Sequence, residues 1–254
     1  MEQYVIKERK VRSFDELLQV INEDKMQCGH VVFRGISDCK KYDLTPNIGR
    51  LDSSIFQRHL NFDTYEREMF KTFKLRSHSL NEIRPANDWE WLAIAQHSGL
   101  YTRLLDWTTS PLIALYFATK PKFEISGAIM SPNSNGSAII AMHTCNNINI
   151  YDSRTPNPLK FEGHGIFYPP YLLRRISGQF GLFSIQSNPL IPFERGFLDG
   201  FENWIEKISF DSEVAKDIQK KLFFMGIRHE SIFPDLDGFA FDLKVHFQFA
   251  QVHN

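Results

Sequence analysis

The spacing of apolar and polar residues predicts helices and short strands along most of this chain. Helical patterns, with apolar residues three or four positions apart, each follow a side chain that can accept hydrogen bonds from free backbone N–H groups. They begin near Ser13, Asp63, Asn87, Ser110, Asp211 or Ser212, and Asp235 or Asp237. Apolar runs typical of strands cover His30 to Ile36, Gly127 to Met130, Ser137 to His143, Ile176 to Gln186 and Trp204 to Phe210.

Turn-forming residues separate these elements, and two of the separations carry predictions of their own. Ser-Pro-Asn-Ser-Asn-Gly lies between the runs 127–130 and 137–143, so these two strands are expected to pair as a hairpin. Residues 144–170 are rich in Pro, Asn and Gly, which predicts a long binding or lid loop. No repeat or clear linker interrupts the chain, so we predict one α+β domain over residues 1–254, with a covering helix within 1–30.

The densest group of polar residues in a core-like region runs from Gln96 to Thr119. Gln96 and His97 occupy the last turn of a helix that ends at Gly99, and Ser110 caps the next helix. The connecting loop 101–109 is anchored by Leu104, Leu105 and Trp107. Its remaining polar side chains are Thr102, Arg103, Asp106 and Thr108. We expect the two helix ends and this loop to converge on one small volume.

Two further polar residues lie at strand positions. Arg34 follows the apolar run Val31-Val32-Phe33, where a charged side chain needs a partner. It either forms an internal salt bridge or clamps an anion through two parallel hydrogen bonds, and the strand pattern favours neither. Gln179 is either an amide of a binding site or a partner for backbone groups.

Composition limits the classes of function. With 254 residues, 43% of them hydrophobic, the chain can bury a large core. The net charge of −1 argues against broad, non-specific binding to a nucleic-acid backbone, although the basic run 71–78 forms either a solvated face or a local nucleic-acid contact. The longest apolar run, 112–118, is too short for a membrane helix. We therefore expect no membrane partner.

Cysteine usage and the absence of several motifs further limit the expected cellular location and chemistry. Three cysteines without paired spacing and a charged N-terminal segment predict a cytoplasmic protein without a disulfide framework. Cys28 and His30 lack a second ligand pair, so we expect no metal site. His97 and Asp106 are two thirds of a Ser-His-Asp arrangement, but nothing marks Ser98 as an activated nucleophile. The chain also has no phosphate loop, dinucleotide glycine motif or zinc helix.

Four segments together resemble the FRG domain of bacteria and phages, which is named for its Phe-Arg-Gly. They are Phe33-Arg34-Gly35, Gln96 to Ala118, Gln179-Phe-Gly-Leu-Phe and Phe233-Pro-Asp-Leu-Asp-Gly238. The resemblance spans residues 31–244. It implies a role in bacterial conflict, as a toxin or antiphage effector, and with it a possible neutralising antitoxin.

A second resemblance, to the arginine-type ADP-ribosyltransferases, bears on chemistry. Those enzymes have a strand ending in Arg-Gly, a Ser-Thr-Ser strand that leads into a helix, and a Glu four residues before a Pro. The corresponding residues here are Arg34-Gly35, Asp106-Trp-Thr108 before Ala114, and Glu230, which comes just before an apolar strand expected to end at Pro234. Asp106-Trp-Thr108 departs from Ser-Thr-Ser, and Arg228 replaces the first acidic residue of the last motif. The resemblance implies a split, mostly antiparallel sheet flanked by helices.

This second resemblance also implies NAD as a substrate and a macromolecular acceptor, which can be RNA, DNA or protein. Glu230 is the implied catalytic carboxylate, because negative charge near the ribose stabilises the cation formed as nicotinamide leaves. Glu230 could instead balance Arg228 or His229, and Asp235 and Asp237, which compete with it, are better suited to capping a helix. Arg34 and Asp106 complete the implied catalytic set. The residues implied to bind NAD are Arg34, Gly35, Gln96, His97, Thr102, Arg103, Thr108 and Gln179, with Tyr101 or Trp107 to stack on nicotinamide.

A rival hypothesis comes from a different class of function. The same residues could form the pocket of a non-catalytic sensor that binds a nucleotide or a protein partner. Release of nicotinamide from NAD distinguishes the enzyme from the sensor.

Overall fold

The computed structural model of the protein describes residues 6–27, 29–59, 61–78, 80, 84–144, 149–150, 157–169, 179–196 and 205–249. The strands are β1 (Lys7–Lys10), β2 (Val31–Ile36), β3 (Leu105–Thr108), β4 (Ser137–His143), β5 (Asn149–Ile150), β6 (His164–Phe167), β7 (Gly181–Gln186) and β8 (Ile205–Phe210). The helices are α1 (Phe14–Ile21), α2 (Ser53–Gln57), α3 (Phe62–Ser77), α4 (Asp88–His97), α5 (Pro111–Thr119), α6 (Ser212–Phe224), α7 (His229–Ile232) and α8 (Leu236–Phe249).

The strands form one mixed sheet in the order β1-β8-β4-β2-β3-β7-β6-β5. Only the outer pairs β1–β8 and β5–β6 are parallel, and the other neighbours are antiparallel. β2 pairs with β4 along its whole length but meets β3 only where Phe33 faces Thr108. The predicted mostly antiparallel sheet between helices is therefore confirmed, and its two halves are joined at a single point.

Each face of β2 has a different environment because successive side chains alternate across a strand. Val31 and Phe33 belong to the core cluster formed with helices α1, α5 and α6, whereas Val32 and Ile36 belong to the cluster on the other face. Arg34 shares the face of Val32 and Ile36.

Gly35 lies on the opposite face of β2 from Arg34, against α5. A Cβ atom on Gly35 would be 2.1 Å from the carbonyl oxygen of Ala114 and 2.6 Å from the backbone nitrogen of Ala118. Only glycine lets this strand approach the helix so closely. The close contact fixes the end of β2 relative to α5.

The helix ends agree with the local sequence signals. Ser13, Asn87, Ser110 and Asp211 each accept a backbone N–H in the first turn of the helix that follows. Asp235 is the residue that accepts the N–H of Gly238 at the start of α8, at 2.7 Å. For α3 the prediction was off by two residues, because Asn61 rather than Asp63 is the cap.

The predicted hairpin is wrong. Both edges of β4 are occupied, by β2 on one side and β8 on the other, so no edge is left for residues 127–130. Ile129 instead forms an isolated bridge with Phe123. The strands that pair with β4 are distant in sequence, so the turn residues between 130 and 137 do not predict them.

Three other predictions of loops and strands need correction. The loop 101–109 contains β3, which is stabilised by pairing with β7. The loop 144–170 contains β6, which also pairs with β7. The strand expected to start at Ile176 begins at Gly181 in the described part of the chain, while residues 170–178 and 201–204 lie outside the described residues. Pairing with β7 explains why the two short strands form despite their weak sequence patterns.

Candidate functional site

A cleft of about 430 Å³ opens where the two halves of the sheet separate. This volume lies within the usual range for small-molecule sites. The ends of β2 and β3, the last turn of α4 and the turn between α7 and α8 all contribute to it. Its lining residues are Phe33, Arg34, Gly35, Ile36, Ser37, Tyr42, Asp43, Arg50, Gln96, His97, Asp106, Trp107, Thr108, Phe117, Gln179 and Phe233.

Arg34 crosses from β2 to β3 at the point where the sheet divides. Its Nη1 donates a hydrogen bond to the carbonyl oxygen of Asp106 at 2.6 Å and lies 3.5 Å from Asp106 Oδ2. The Arg34 side chain is 19% exposed and that of Asp106 is 57% exposed. Both interpretations of Arg34 therefore have geometric support, since it has an internal partner and also faces the cleft.

A chain of hydrogen bonds orients Asp106. Gln96 Nε2 donates to Asp106 Oδ2 at 2.9 Å, and Gln96 Oε1 accepts from Thr102 Oγ1 at 2.5 Å. The backbone N–H of Thr102 donates to Asn47 Oδ1 at 2.8 Å. These contacts fix which end of the Gln96 amide faces the carboxylate. They also make Thr102, which is 1% exposed, a support behind the cleft rather than a residue that lines it.

Thr108 holds the end of β3 to two neighbouring segments. Its hydroxyl donates to the carbonyl oxygen of Gln179 at 2.7 Å and accepts the N–H of Ser110 at 3.1 Å. Phe180, next to Gln179, has a φ of 46° and is 56% exposed. A positive φ at a bulky residue is strained, and such strain concentrates at functional sites. Thr108 and Gln179 thus both reach the cleft, and Gln179 is held through its backbone.

Arg50 is a cleft residue that the sequence interpretation missed. It ends a 3-10 turn, Asn47–Arg50, and its guanidinium carbon lies 5.1 Å from the centre of the Tyr42 ring. Its Nη2 donates to the carbonyl oxygen of Asp43 at 2.8 Å. Burial and then repulsion from Arg34 lower the pKa of the Arg50 guanidinium. The available signal was a lone Arg closing Asn-Ile-Gly-Arg after Pro46, which is too common to single out.

The apolar wall of the cleft comes from helix and loop aromatics. The rings of Phe117 and Phe233 pack edge to face, with centroids 6.1 Å apart. Trp107 is only 3% exposed, and its indole N–H donates to Ser184 Oγ at 2.9 Å, so it belongs to the core. Tyr101, the other residue proposed for stacking, is 47% exposed and is not among the lining residues.

Arg103 is not one of the described residues that line the cleft. Its Nε and Nη2 donate to the two oxygens of Glu66 at 2.8 and 2.5 Å. Both side chains are 4% exposed. The expectation that Arg103 faces the cleft is wrong, because burial of the Glu66 carboxylate on α3 requires a bidentate cationic partner.

Glu230 does not lie where the sequence pattern suggested. Residues 229–232 form the short helix α7, not a strand that Pro234 ends. Glu230 is partly buried and is not among the described residues lining the cleft. The pKa of Asp242 on α8 is raised, first by burial of its carboxyl group and second by repulsion from the charge of Glu230. From this region Phe233 lines the cleft, so the segment contributes an apolar wall.

The predicted site residues thus fall into two groups. Those that line the cleft are Arg34, Gly35, Gln96, His97, Asp106, Thr108 and Gln179. Those that do not are Thr102, Arg103 and Glu230. The roles assigned to both groups stay predictions.

Two observations apply only to the described part of the chain. No group of three or more His, Cys, Asp or Glu side chains there could hold a metal ion. Likewise, no helix there is both long enough and apolar enough to cross a membrane. Cys28, one member of the Cys28–His30 pair, lies outside the described residues.

Comparison with known proteins gives one family. No curated protein and no solved structure matches the chain. A family model, the FRG domain, matches residues 29–125, which include the Phe33-Arg34-Gly35 motif and the polar stretch from Gln96. Over residues 29–125 this chain is therefore similar to the FRG domain.

Proposed function

We propose that the protein is an NAD-dependent ADP-ribosyltransferase that acts on a macromolecular acceptor. The observation that carries the proposal is the composition of the cleft. It combines two guanidinium groups, an oriented carboxylate and an aromatic wall at the point where the sheet divides. These are the groups needed for a pyrophosphate, a developing positive charge on ribose and a flat apolar ring.

The transfer breaks the bond between C1′ of the ribose and the nicotinamide nitrogen. The electron pair of that bond leaves with nicotinamide and neutralises its pyridinium charge, so positive charge develops on the ribose. A nucleophile of the acceptor then forms the new bond to C1′ and releases its proton to a base. A carboxylate held beside C1′ stabilises this transition state without having to reorganise.

We assign that carboxylate to Asp106 rather than to Glu230. Asp106 lines the cleft, and its Oδ2 is held by Gln96 and Arg34. Asp106 Oδ1 accepts no hydrogen bond from the residues that the structure describes, which leaves it available to substrate. Glu230, by contrast, is absent from the described lining and is electrostatically coupled to Asp242.

Nicotinamide release tests both the activity and the assignment. The protein is incubated with NAD and cell extract, and free nicotinamide is measured by chromatography. Asp106→Asn keeps the shape but removes the charge, so release should fall by about a hundredfold or more. Glu230→Gln, a charge-matched control outside the cleft, should leave release within about threefold of the wild type.

Each alternative has its own outcome. Loss of release in Glu230→Gln with normal release in Asp106→Asn would restore Glu230 as the catalytic carboxylate. No release from the wild type with any extract, despite binding of NAD, would favour the non-catalytic sensor.

A further inference from the structure

We propose that Arg50 and Arg34 form a two-point clamp in which each guanidinium binds one phosphate of a nucleotide diphosphate linkage. The proposal rests on the function proposed above and adds the specificity of its site: a ligand with two linked phosphates is selected over one with a single phosphate. Nothing in the chain's motifs assigns a role to Arg50.

The backbone around Arg50 is fixed by contacts with three other segments. A Cβ atom on Gly49 would be 1.9 Å from the carbonyl oxygen of Pro189, so the turn packs directly against that loop. Asn47 and Ile48 bond with the backbone N–H and carbonyl of Thr102, at 2.8 and 3.4 Å. Nearby, the N–H of Phe193 donates to the carbonyl of Leu44 at 2.9 Å. Arg50 is therefore presented by a rigid turn, as a binding residue requires.

The Arg50 guanidinium is oriented but keeps donors for a ligand. It lies over the Tyr42 ring and gives one bond to a backbone carbonyl, that of Asp43. Its distance to Asp43 Oδ1 is 4.0 Å, and the Asp43 side chain is 54% exposed. An ion pair this long and this exposed contributes little. Since a guanidinium has five N–H donors, the residues that the structure describes leave most of the Arg50 donors available to a ligand.

Arg34, which also lines the cleft, has a similar arrangement. It gives one bond to the backbone carbonyl of Asp106 and has a 3.5 Å contact with a carboxylate that is 57% exposed. Both cations line one cleft, and repulsion from Arg34 contributes, after burial, to the lowered pKa of Arg50. Two linked phosphates carry more negative charge and more acceptor oxygens than one phosphate, so they relieve that repulsion more completely and offer each guanidinium its own phosphate.

A purely structural role for Arg50 makes a different prediction. If Arg50 only stacks on Tyr42 and closes its turn, its loss should lower stability and weaken all ligands alike. If it binds the second phosphate, its loss should affect diphosphates selectively. The ratio of two affinities therefore separates the roles.

Calorimetric titration of the full chain with AMP, ADP and ADP-ribose provides the test. We expect the wild type to bind ADP and ADP-ribose at least about tenfold more tightly than AMP, since a hydrogen bond to a charged group contributes roughly that factor. Arg50→Gln should reduce affinity for ADP and ADP-ribose by about tenfold or more and for AMP by less than threefold. Arg50→Lys, which keeps the charge without the planar fork, should fall between the two.

Lys41→Gln is the matched control. Lys41 Nζ lies 5.2 Å from the centre of the same Tyr42 ring, but Lys41 is not among the described lining residues. Its replacement removes one positive charge nearby and should leave the ADP to AMP ratio unchanged. Thermal unfolding of every variant verifies that the titrated protein is folded.

Several results would overturn the clamp: equal losses for AMP and ADP in Arg50→Gln, the same loss in Lys41→Gln, or no binding of ADP and ADP-ribose by the wild type. The transferase fails separately. If NAD is turned over while Arg50→Gln keeps the wild-type ratio, the clamp is wrong and the function stands. If the ratio depends on Arg50 but nicotinamide is never released, the clamp stands and the transferase is wrong.

Discussion

Replacement of Arg103 by Met should destabilise the protein strongly while leaving ligand binding intact. Arg103 forms a bidentate pair with Glu66, and the two side chains are each 4% exposed. Arg103→Met retains the long unbranched side chain but leaves the Glu66 carboxylate buried without its cation. The substitution therefore measures the loss of the ion pair while the packing of the aliphatic part of the Arg103 side chain is kept.

The expected magnitude follows from that burial. Breaking a buried ion pair by removing one partner costs about 3–5 kcal/mol, because the remaining charge is uncompensated. For a protein of this size such a loss lowers the melting temperature by about 6–20 °C. The double variant Arg103→Met/Glu66→Leu removes both charges, so it should recover most of the lost stability.

Urea unfolding followed by circular dichroism measures these free energies, and calorimetry with ADP-ribose measures binding to the folded protein. Lys216→Met is the control. Lys216 pairs with Glu213 at 2.8 Å, with side chains 44% and 78% exposed, so its loss should cost less than about 1 kcal/mol.

The reasoning would be refuted by an Arg103→Met variant that unfolds like the wild type. It would also be refuted by a stable variant that no longer binds ADP-ribose, since Arg103 would then be the cleft residue that the sequence suggested. A double variant no more stable than Arg103→Met would show that the charge left on Glu66 is not the cause.

Two more predictions concern the strand end and a buried acid. Gly35→Ala places a Cβ 2.1 Å from the Ala114 carbonyl oxygen, so we expect a loss of about 1–3 kcal/mol or more in urea unfolding; an unchanged midpoint would contradict the close contact. Burial raises the pKa of Glu194 to about 7 from 4.5, so the folded protein holds a proton that the unfolded chain releases, and stability falls as pH rises across that window. Glu194→Gln should remove this fall and be more stable than the wild type at pH 8 by up to about 3 kcal/mol, whereas equal urea midpoints at pH 5 and pH 8 in the wild type would refute the raised pKa.

The helix ends could be predicted from the sequence because their causes are local. A cap such as Asn87 accepts the N–H of Glu90, three residues away, so the interaction is visible in the sequence itself. The same holds for Ser13, Ser110 and Asp211. Part of the cleft could also be predicted from the sequence, because Gln96 and Asp106 lie only ten residues apart and do form a hydrogen bond.

The tertiary structure alone decided which polar residues face the cleft. Arg34 and Arg103 are the same residue type near the ends of apolar runs, yet one lines the cleft and the other is paired with Glu66, 37 positions away. Arg50 reaches the cleft because its turn is held by contacts with residues near 102 and 189.

Strand pairing was decided in the same way. The edges of β4 were filled by β2 and β8, which are distant in sequence, and the short strand β3 exists because β7 pairs with it. Capping and periodicity depend on neighbours within about four residues, so a single sequence displays them. Which strands pair with the two edges of β4, and which residue pairs with a buried charge, depends on segments that are distant in sequence and meet only in the folded protein. The residues around each position therefore do not indicate these partners.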